Sequence, residues 1–225
     1  MIPESTFGAI QNYLRERTEH AEGGWDAGAD EEDTLTGDFG ASLRTRGWII
    51  SGDNRTRSAW RVTYTKFRGR GPRAPEKETG ADGIFQIEVY PSDAPVLFSK
   101  GVLFQAKKYQ GSSRGDLIEQ VEKMEQIASG GTAVFEFGPQ GYRGSSGREI
   151  LAANELTATR IPHPERALGN YLADSFLPCE SGLRGMYFDA ERGNLVVPEG
   201  IAGVKLVRIR LKERIALQVI NNFRR

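Results

Sequence analysis

The chain has 225 residues, 38% of them hydrophobic and 27% charged, and its formal net charge is zero. This composition suits one globular α/β domain with elaborations and excludes a disordered chain, and no stretch is long and apolar enough to span a membrane. Cys179 is the only cysteine, so an internal disulfide is excluded. The N-terminal residues lack the apolar segment of a signal peptide, and a cytoplasmic location is therefore expected.

A net charge of zero argues against a nucleic-acid-binding protein, but the charges are unevenly distributed along the chain. Residues 22–38 include seven acidic residues and no Lys or Arg, residues 44–77 include ten basic and two acidic residues, and residues 205–225 include seven basic residues and one acidic residue. An acidic segment beside basic segments is what a metal site in a phosphate-binding groove needs. Two solvated surfaces of opposite charge would give the same pattern.

Hydrophobic periodicity predicts helices and strands up to residue 137. Apolar residues recur at helical spacing from Ser5 to about Arg17, from about Asp30 to Leu43, and from Asp116 to Ala128. Alternating or continuous apolar runs predict strands at 48–50, 60–64, 84–89, 102–106 and 133–137. Residues 138–147 are rich in glycine and are expected to form a loop. This element order predicts a mixed α/β core.

The last part of the chain, residues 146–225, is expected to be an α+β elaboration. A helix is predicted from Pro164 to about Phe176, because proline is favoured in the first turn of a helix. Apolar runs on both sides of the turn at 190–194 predict a hairpin. Residues 207–211 alternate between apolar and basic side chains, which predicts one more strand with a basic face.

Two segments carry the residues that favour a chemical function. In T-G-A-D-G-I at 79–84 an acid, Asp82, lies at the start of an apolar strand. In G-V-L-F-Q-A-K at 101–107 an apolar strand ends in Gln105 and Lys107, and the period of two places both side chains on one face. If the two strands are neighbours, the three side chains converge at one end of the sheet.

An acid, an amide oxygen and an ammonium group at one point suit the hydrolysis of a phosphodiester. Asp82 would bind Mg²⁺, a hard ion that prefers oxygen ligands, and the side-chain oxygen of Gln105 would complete the ligand set. Lys107 would orient the attacking water and offset charge on the phosphoryl oxygens. Glu32, at the end of the core-facing stripe of the second helix, is expected to supply a third acid, with Glu31 as the alternative.

These segments resemble the PD-(D/E)XK nuclease superfamily, the restriction-endonuclease-like fold, and in particular its Gln-x-Lys branch in Mrr-like and antiphage-defence enzymes. The resemblance implies an α-β-β-β-α-β core, with a mixed sheet flanked by helices, over residues 30–145. An N-terminal helix and loop at 1–29 would precede this core, and the C-terminal elaboration at 146–225 would follow it.

The resemblance also implies roles for the residues of the two segments. Asp82, Gln105 and Glu32 would bind the metal, Mg²⁺ with Mn²⁺ as a substitute, and Lys107 would complete the catalytic set. The chain departs from the commoner family pattern because Gln105 stands where many relatives have Asp or Glu. This leaves fewer negative ligands and argues against a second metal ion.

The substrate and setting that the resemblance implies are DNA and bacterial or antiphage defence. The protein would act as a homo-oligomer or as a subunit of a defence complex. Basic residues of the loop after the second strand and of the C-terminal strand are expected to line the nucleic-acid groove, because phosphate contacts dominate such binding. These residues are Arg68, Arg70, Arg73, Arg208 and Arg210.

Each of these residues also has a purely structural explanation. Asp82 could be a turn residue in Gly-Ala-Asp-Gly, and Lys107 could end a strand in solvent. Gln105 is harder to explain in this way, because it follows a run of apolar residues. Tyr109 is expected to pack and His163 to lie at the surface. The alternative functions are a non-catalytic relative that binds nucleic acid or protein, a ribonuclease effector on the same fold, and a structural subunit.

Overall fold

The computed structural model describes residues 2–52, 57–67, 75–91, 97–109, 116–156 and 163–198. These residues form an α/β fold in which helices flank a mixed, mostly antiparallel sheet of eight strands. The predicted fold class and the mixed sheet flanked by helices are confirmed. Within the described ranges, no helix is long and apolar enough to cross a membrane.

The described elements alternate along the chain much as the hydrophobic pattern predicts. The helices are α1 (Glu4–Glu22), α2 (Trp25–Gly28), α3 (Glu32–Leu43), α4 (Pro75–Thr79), α5 (Leu117–Ile127), α6 (Gly147–Leu156) and α7 (Leu168–Asn170), followed by a π-helix at Tyr171–Phe176. The strands are β1 (Ile49–Ser51), β2 (Ser58–Lys66), β3 (Gly83–Pro91), β4 (Phe98–Lys108), β5 (Thr132–Phe137), β6 (Arg143–Ser146), β7 (Arg166–Ala167), β8 (Leu183–Arg184), β9 (Tyr187–Asp189) and β10 (Asn194–Val196).

The sheet contains β1 to β7 in chain order, and β8 pairs with β4 at Lys100 and Gly101. All neighbouring strands are antiparallel except β4 and β5, which are parallel. A parallel pair needs a crossover connection, and the amphipathic helix α5 supplies it. The start of β3 and the ends of β4 and β5 therefore lie at the same end of the sheet. The hairpin of β9 and β10, predicted around 190–194, is confirmed.

The sheet has a hydrophobic core on each face, because successive side chains of a strand point to opposite sides. Phe104 and Ala106 of β4 belong to a core shared with α1, α3 and the π-helix. Leu103 belongs to a second core shared with α5 and α6. Burial on both faces explains why β3, β4 and β5 are nearly continuous apolar runs in the sequence.

Some of the elements predicted after residue 137 are wrong. Residues 138–147, predicted to be a loop, include β6, which pairs with β5. The helix predicted to begin at Pro164 begins at Leu168, because Arg166 and Ala167 form β7 and pair with β6. Pairing with an exposed sheet edge has overridden the local helix signal. The strand predicted at 207–211 lies outside the described residues.

Gly40 allows α3 to lie close against the sheet. A Cβ atom at Gly40 would clash with the ring of Tyr64 on β2, whereas a Cβ atom at Gly37, one turn earlier, would meet no atom within 4 Å. We expect Gly40→Ala to lower the free energy of unfolding by about 1 to 3 kcal/mol, because α3 and Tyr64 must move apart. The control Gly37→Ala should be neutral or stabilising by up to about 1 kcal/mol, because alanine favours helix. Urea unfolding measures both, and equal stabilities would contradict the close contact.

Candidate metal centre

Three of the predicted residues converge where β3 begins and β4 ends. The two strands are antiparallel, with Gly83 opposite Phe104. Asp82 immediately precedes β3, so it lies beside Gln105 and close to Lys107 near the end of β4. The neighbouring strands and the period of two thus bring these side chains to one end of the sheet.

The side chain of Asp82 is held by the backbone and one side chain of β4. Its Oδ2 accepts a hydrogen bond of 2.8 Å from Nε2 of Gln105 and one of 2.7 Å from the N–H of Ala106. The backbone is fixed as well, because the N–H of Asp82 donates to the carbonyl of Phe104 and its carbonyl accepts from the N–H of Phe67. The carboxylate of Asp82 is thus fixed against the end of β4.

The two polar atoms of the Gln105 side chain differ in their hydrogen bonding. It is 2% exposed, and its Nε2 donates to Asp82. Its Oε1 is buried and has no hydrogen-bond partner within the part of the chain that the structure describes. A buried acceptor left unpaired costs about 1 to 3 kcal/mol, and a cation at Oε1 would remove this cost. Amide oxygens are among the ligands that hard divalent cations take in proteins.

Lys107 lies on the same face of β4 as Gln105 and is 3% exposed. Its positive charge lowers the pKa of Asp82, so the two groups are close enough to interact. In the parallel pairing, Lys107 lies opposite Glu136 of β5. Lys107 therefore lies between Asp82, which precedes β3, and Glu136 on β5.

Glu32 approaches the same point from the other face of the sheet. It is the first residue of α3, and its Oε2 accepts a hydrogen bond of 2.8 Å from the N–H of Lys108. Its charge raises the pKa of Asp82. The alternative acid, Glu31, is exposed, and its carboxylate accepts a hydrogen bond from Thr34 instead. Of the two acids, Glu32 is the one whose carboxylate contacts β4.

The pKa of Asp82 is raised to about 7, mainly by burial. The hydrogen bond from Ala106 and the charge of Lys107 oppose this rise, and the charges of Glu76 and Glu32 add to it. An ionised Asp82 is therefore costly in the metal-free protein, and a bound cation would favour the ionised form. Glu76 was not expected from the sequence, because the single-turn helix α4 lies in a segment rich in glycine and proline without a periodic pattern.

A second buried oxygen without a partner lies near Asp82. The ring of Tyr64 stacks on Phe104 with the centroids 5.5 Å apart. Among the described residues, its hydroxyl group has no hydrogen-bond partner. Burial raises the pKa of Tyr64, and the charges of Asp82 and Asp33 raise it further. The position of Tyr64 near Asp82 was not expected from the sequence, because Tyr64 continues the alternating apolar pattern of its strand.

The ligand set is small. Within the described ranges, no group of three or more His, Cys, Asp or Glu side chains is placed to hold a metal ion. The available donors are the carboxylate of Asp82, the amide oxygen of Gln105 and the carboxylate of Glu32. These oxygens fit Mg²⁺, which keeps several waters and takes only one or two carboxylates from a protein. They do not fit Zn²⁺, which prefers nitrogen and sulfur ligands.

The arginines predicted to line a nucleic-acid groove lie outside the described residues: Arg68, Arg70, Arg73, Arg208 and Arg210. Two described basic residues of the same block are paired with acids. Nζ of Lys66 lies 2.9 Å from Oδ1 of Asp33, and Arg61 forms an ion pair with Glu88.

No family model, curated protein or solved structure matches the chain.

Asp82→Asn should stabilise the metal-free protein above neutral pH. The asparagine oxygen can accept the hydrogen bonds of Gln105 and Ala106 without placing a charge in the site. The pKa of Asp82 is raised from 3.8 to about 7, so the wild-type protein binds a proton and gains stability as the pH falls from about 7 to about 4, whereas the variant does not. Near pH 8, we expect the free energy of unfolding of the variant to exceed that of the wild-type protein by at least about 1 kcal/mol.

Urea unfolding in the presence of EDTA, near pH 8 and near pH 5, measures this difference. The advantage of the variant should decrease as the pH is lowered. A difference that is the same at both pH values would contradict a raised pKa for Asp82.

Proposed function

We propose that the protein is a metal-dependent nuclease that hydrolyses phosphodiester bonds, with DNA as its substrate. The observation that carries the proposal is the buried carboxylate of Asp82, which Gln105 and Ala106 hold beside Lys107. Among the described residues, Oε1 of Gln105 has no partner at this point. An acid, an amide oxygen and a buried ammonium group are what the hydrolysis of a phosphate ester needs to hold a metal and offset negative charge.

The order of the elements supports this proposal. Helix α3 precedes the short strand β1 and then the three longer antiparallel strands β2, β3 and β4, with the single-turn helix α4 between β2 and β3. Helix α5 then leads to β5, which is parallel to β4. Apart from β1 and α4, this is the α-β-β-β-α-β order that the family resemblance implies. Asp82 ahead of β3, with Gln105 and Lys107 on β4, also agrees with the acid and the Gln-x-Lys pair of that family.

Asp82, Gln105 and Glu32 would hold the magnesium ion, and Mn²⁺ would bind the same oxygen donors. When bound, the ion supplies Lewis acidity and lowers the pKa of a water molecule that it binds. The burial of Asp82 favours such binding, because an ionised carboxyl group in this position needs a positive charge nearby. The hydrogen bond from Lys108 holds the carboxylate of Glu32 at the end of β4.

Lys107 would act on the phosphoryl group and on the attacking water. Its side chain is 3% exposed, so its charge is poorly screened and acts strongly on a nearby anion. A lysine that merely ends a strand in solvent would be exposed. The burial of Lys107 therefore supports a role at the site. Its donors would orient the water and stabilise charge on the non-bridging oxygens.

The setting of the proposed activity rests on the family resemblance alone. It is bacterial or antiphage defence, in a homo-oligomer or a defence complex. A non-catalytic relative that binds nucleic acid is the second candidate, and one observation favours it: in the described part of the chain, no group of three or more His, Cys, Asp or Glu side chains is placed to hold a metal ion. Incubation with plasmid DNA and with RNA, with and without Mg²⁺, separates these possibilities and the ribonuclease alternative.

Asp82→Asn and Lys107→Ala should each slow the cleavage of plasmid DNA in Mg²⁺. A loss of about a hundredfold or more is expected, as for the removal of one group that stabilises transition-state charge. The control is Lys123→Ala, which removes an exposed lysine on α5 and should keep the wild-type rate. Binding measured in Ca²⁺, without cleavage, separates a loss of chemistry from a loss of affinity.

A wild-type cleavage rate in the folded Lys107→Ala variant would remove this residue from the mechanism. Failure of the wild-type protein to cleave DNA or RNA in either Mg²⁺ or Mn²⁺ would overturn the nuclease proposal and favour the non-catalytic relative.

Substitution of Gln105 tests whether its side-chain oxygen is a metal ligand. Gln105→Glu places a second carboxyl group within hydrogen-bond distance of Asp82, so the metal-free variant should be less stable near neutral pH and more strongly stabilised by Mg²⁺. Gln105→Leu removes the oxygen, so Mg²⁺ should stabilise this variant less than it stabilises the wild-type protein. Thermal unfolding over a Mg²⁺ titration measures these shifts. Equal shifts in all three proteins would show that Gln105 is not a ligand.

A further inference from the structure

A cleft of about 320 Å³ lies one strand away from the candidate metal centre, near the end of β5. Its walls include Tyr109, Glu136 and His163. Glu136 is directly opposite Lys107 in the parallel pairing, and neighbouring strands are about 4.8 Å apart. The volume is at the lower end of the range for small-molecule sites, roughly 300 to 1,000 Å³. The cleft therefore adjoins the metal centre and has room for a group of about the size of one nucleoside.

Two aromatic rings lie side by side at this cleft, tilted relative to each other. Tyr109 is two residues beyond Lys107, and it is 42% exposed. Its ring centroid lies 5.8 Å from that of His163, with an angle of 52° between the ring planes. An exposed aromatic side chain beside a cleft offers a flat surface on which another flat group can stack.

Both rings are held in place by the surrounding structure. The N–H of Tyr109 donates a hydrogen bond of 2.7 Å to the carbonyl of Phe137, and the Tyr109 side chain packs over Gly138, where an added Cβ atom would lie 3.1 Å from the Cβ of Tyr109. Nδ1 of His163 lies 2.9 Å from Oε2 of the buried Glu136. A ligand that stacks here would meet rings that are already positioned, which reduces the entropic cost of binding.

The charges of the cleft favour an uncharged ligand over a phosphate group. Two carboxyl groups, those of Glu136 and Glu165, line the cleft together with Arg143 and His163. Arg143 donates to the backbone carbonyl of Glu165, and His163 contacts Glu136, so the basic groups already have partners. Carboxylates repel phosphate oxygens but accept hydrogen bonds from the N–H groups of a nucleobase.

We propose that this cleft is a nucleobase subsite, in which the base of a nucleotide that flanks the scissile phosphate stacks on Tyr109 beside His163. The inference rests on the proposed nuclease function, because Lys107 marks the place of the phosphate, one strand away. A base reaches such a cleft only when it is unpaired, since a paired base must first be taken out of the duplex at a cost in stacking and pairing. The protein therefore prefers single-stranded or frayed nucleic acid to an intact duplex.

The test compares the affinities of three probes by fluorescence anisotropy in Ca²⁺: a single-stranded oligodeoxynucleotide, its blunt duplex, and a fully abasic sugar-phosphate oligomer of the same length. Tyr109→Ala should weaken binding of the single strand by at least about fivefold, because stacking of one base on an aromatic side chain contributes roughly 1 to 3 kcal/mol. Tyr109→Trp should restore binding. The matched control is Tyr90→Ala, which removes a similarly exposed tyrosine, 45% exposed, at the far end of β3.

The abasic oligomer separates stacking from structural damage. It should bind the wild-type protein more weakly than the single strand does, and Tyr109→Ala should not weaken it further. Equal effects of Tyr109→Ala and Tyr90→Ala, an equal loss on the abasic oligomer, a wild-type preference for the duplex, or no binding of the single strand would each overturn the subsite.

A cleavage assay in Mg²⁺ on the same proteins distinguishes this inference from the function on which it rests. Cleavage without any dependence on Tyr109 leaves the nuclease proposal standing and removes the subsite. Base-dependent binding through Tyr109 without cleavage by the wild-type protein supports the subsite and removes the nuclease.

Discussion

Strand β4 extends beyond the start of β3, and the backbone groups of this overhang need partners. The N–H groups of Ala106 and Lys108 point to the side of β3, beyond its first residue, Gly83. The carboxylate of Asp82 accepts the first and the carboxylate of Glu32 accepts the second. Unpaired buried N–H groups are strongly disfavoured, so the two acids complete the hydrogen bonding of the sheet. The same requirement brings two negative charges to one point, beside Lys107.

This arrangement has a cost in stability that other parts of the fold offset. A carboxyl group whose pKa is raised by burial, and an amide oxygen without a partner among the described residues, each destabilise the metal-free protein. The surrounding strands are buried on both faces by α1, α3, α5 and α6. A sheet end that is firmly packed in this way can hold polar groups in unfavourable positions. In a less rigid structure, these groups would move towards solvent or towards other hydrogen-bond partners.

The sequence was most informative where the chemistry follows a local rule. The period of two placed Gln105 and Lys107 on one face, and the acid at the start of the preceding strand had to lie beside them if the strands were neighbours. Helical spacing likewise selected Glu32 over Glu31. These inferences need only short segments and one assumed pairing, and the structure contains that pairing.

Contacts between distant segments left no such signal. Glu136 and His163 are 27 positions apart, and they meet because β6 and β7 extend the sheet where a loop and a helix were expected. Tyr109 was expected to pack, yet it is exposed beside His163. Edge pairing of short strands depends on which edge is open in the folded sheet. A pattern of residues along the chain does not contain that information.

The two hydrogen bonds that Gln105 and Ala106 donate to Asp82 both end on the same oxygen, Oδ2. A proton or a cation would therefore bind at the other oxygen, Oδ1, and the two would compete for that atom. If the site binds a divalent cation as proposed, and the pKa of Asp82 is about 7, binding of the ion below neutral pH would displace a proton from this carboxyl group. The apparent affinity for the ion would then fall as the pH is lowered below neutrality, so acidity and divalent cations would act on this end of the sheet through a single oxygen.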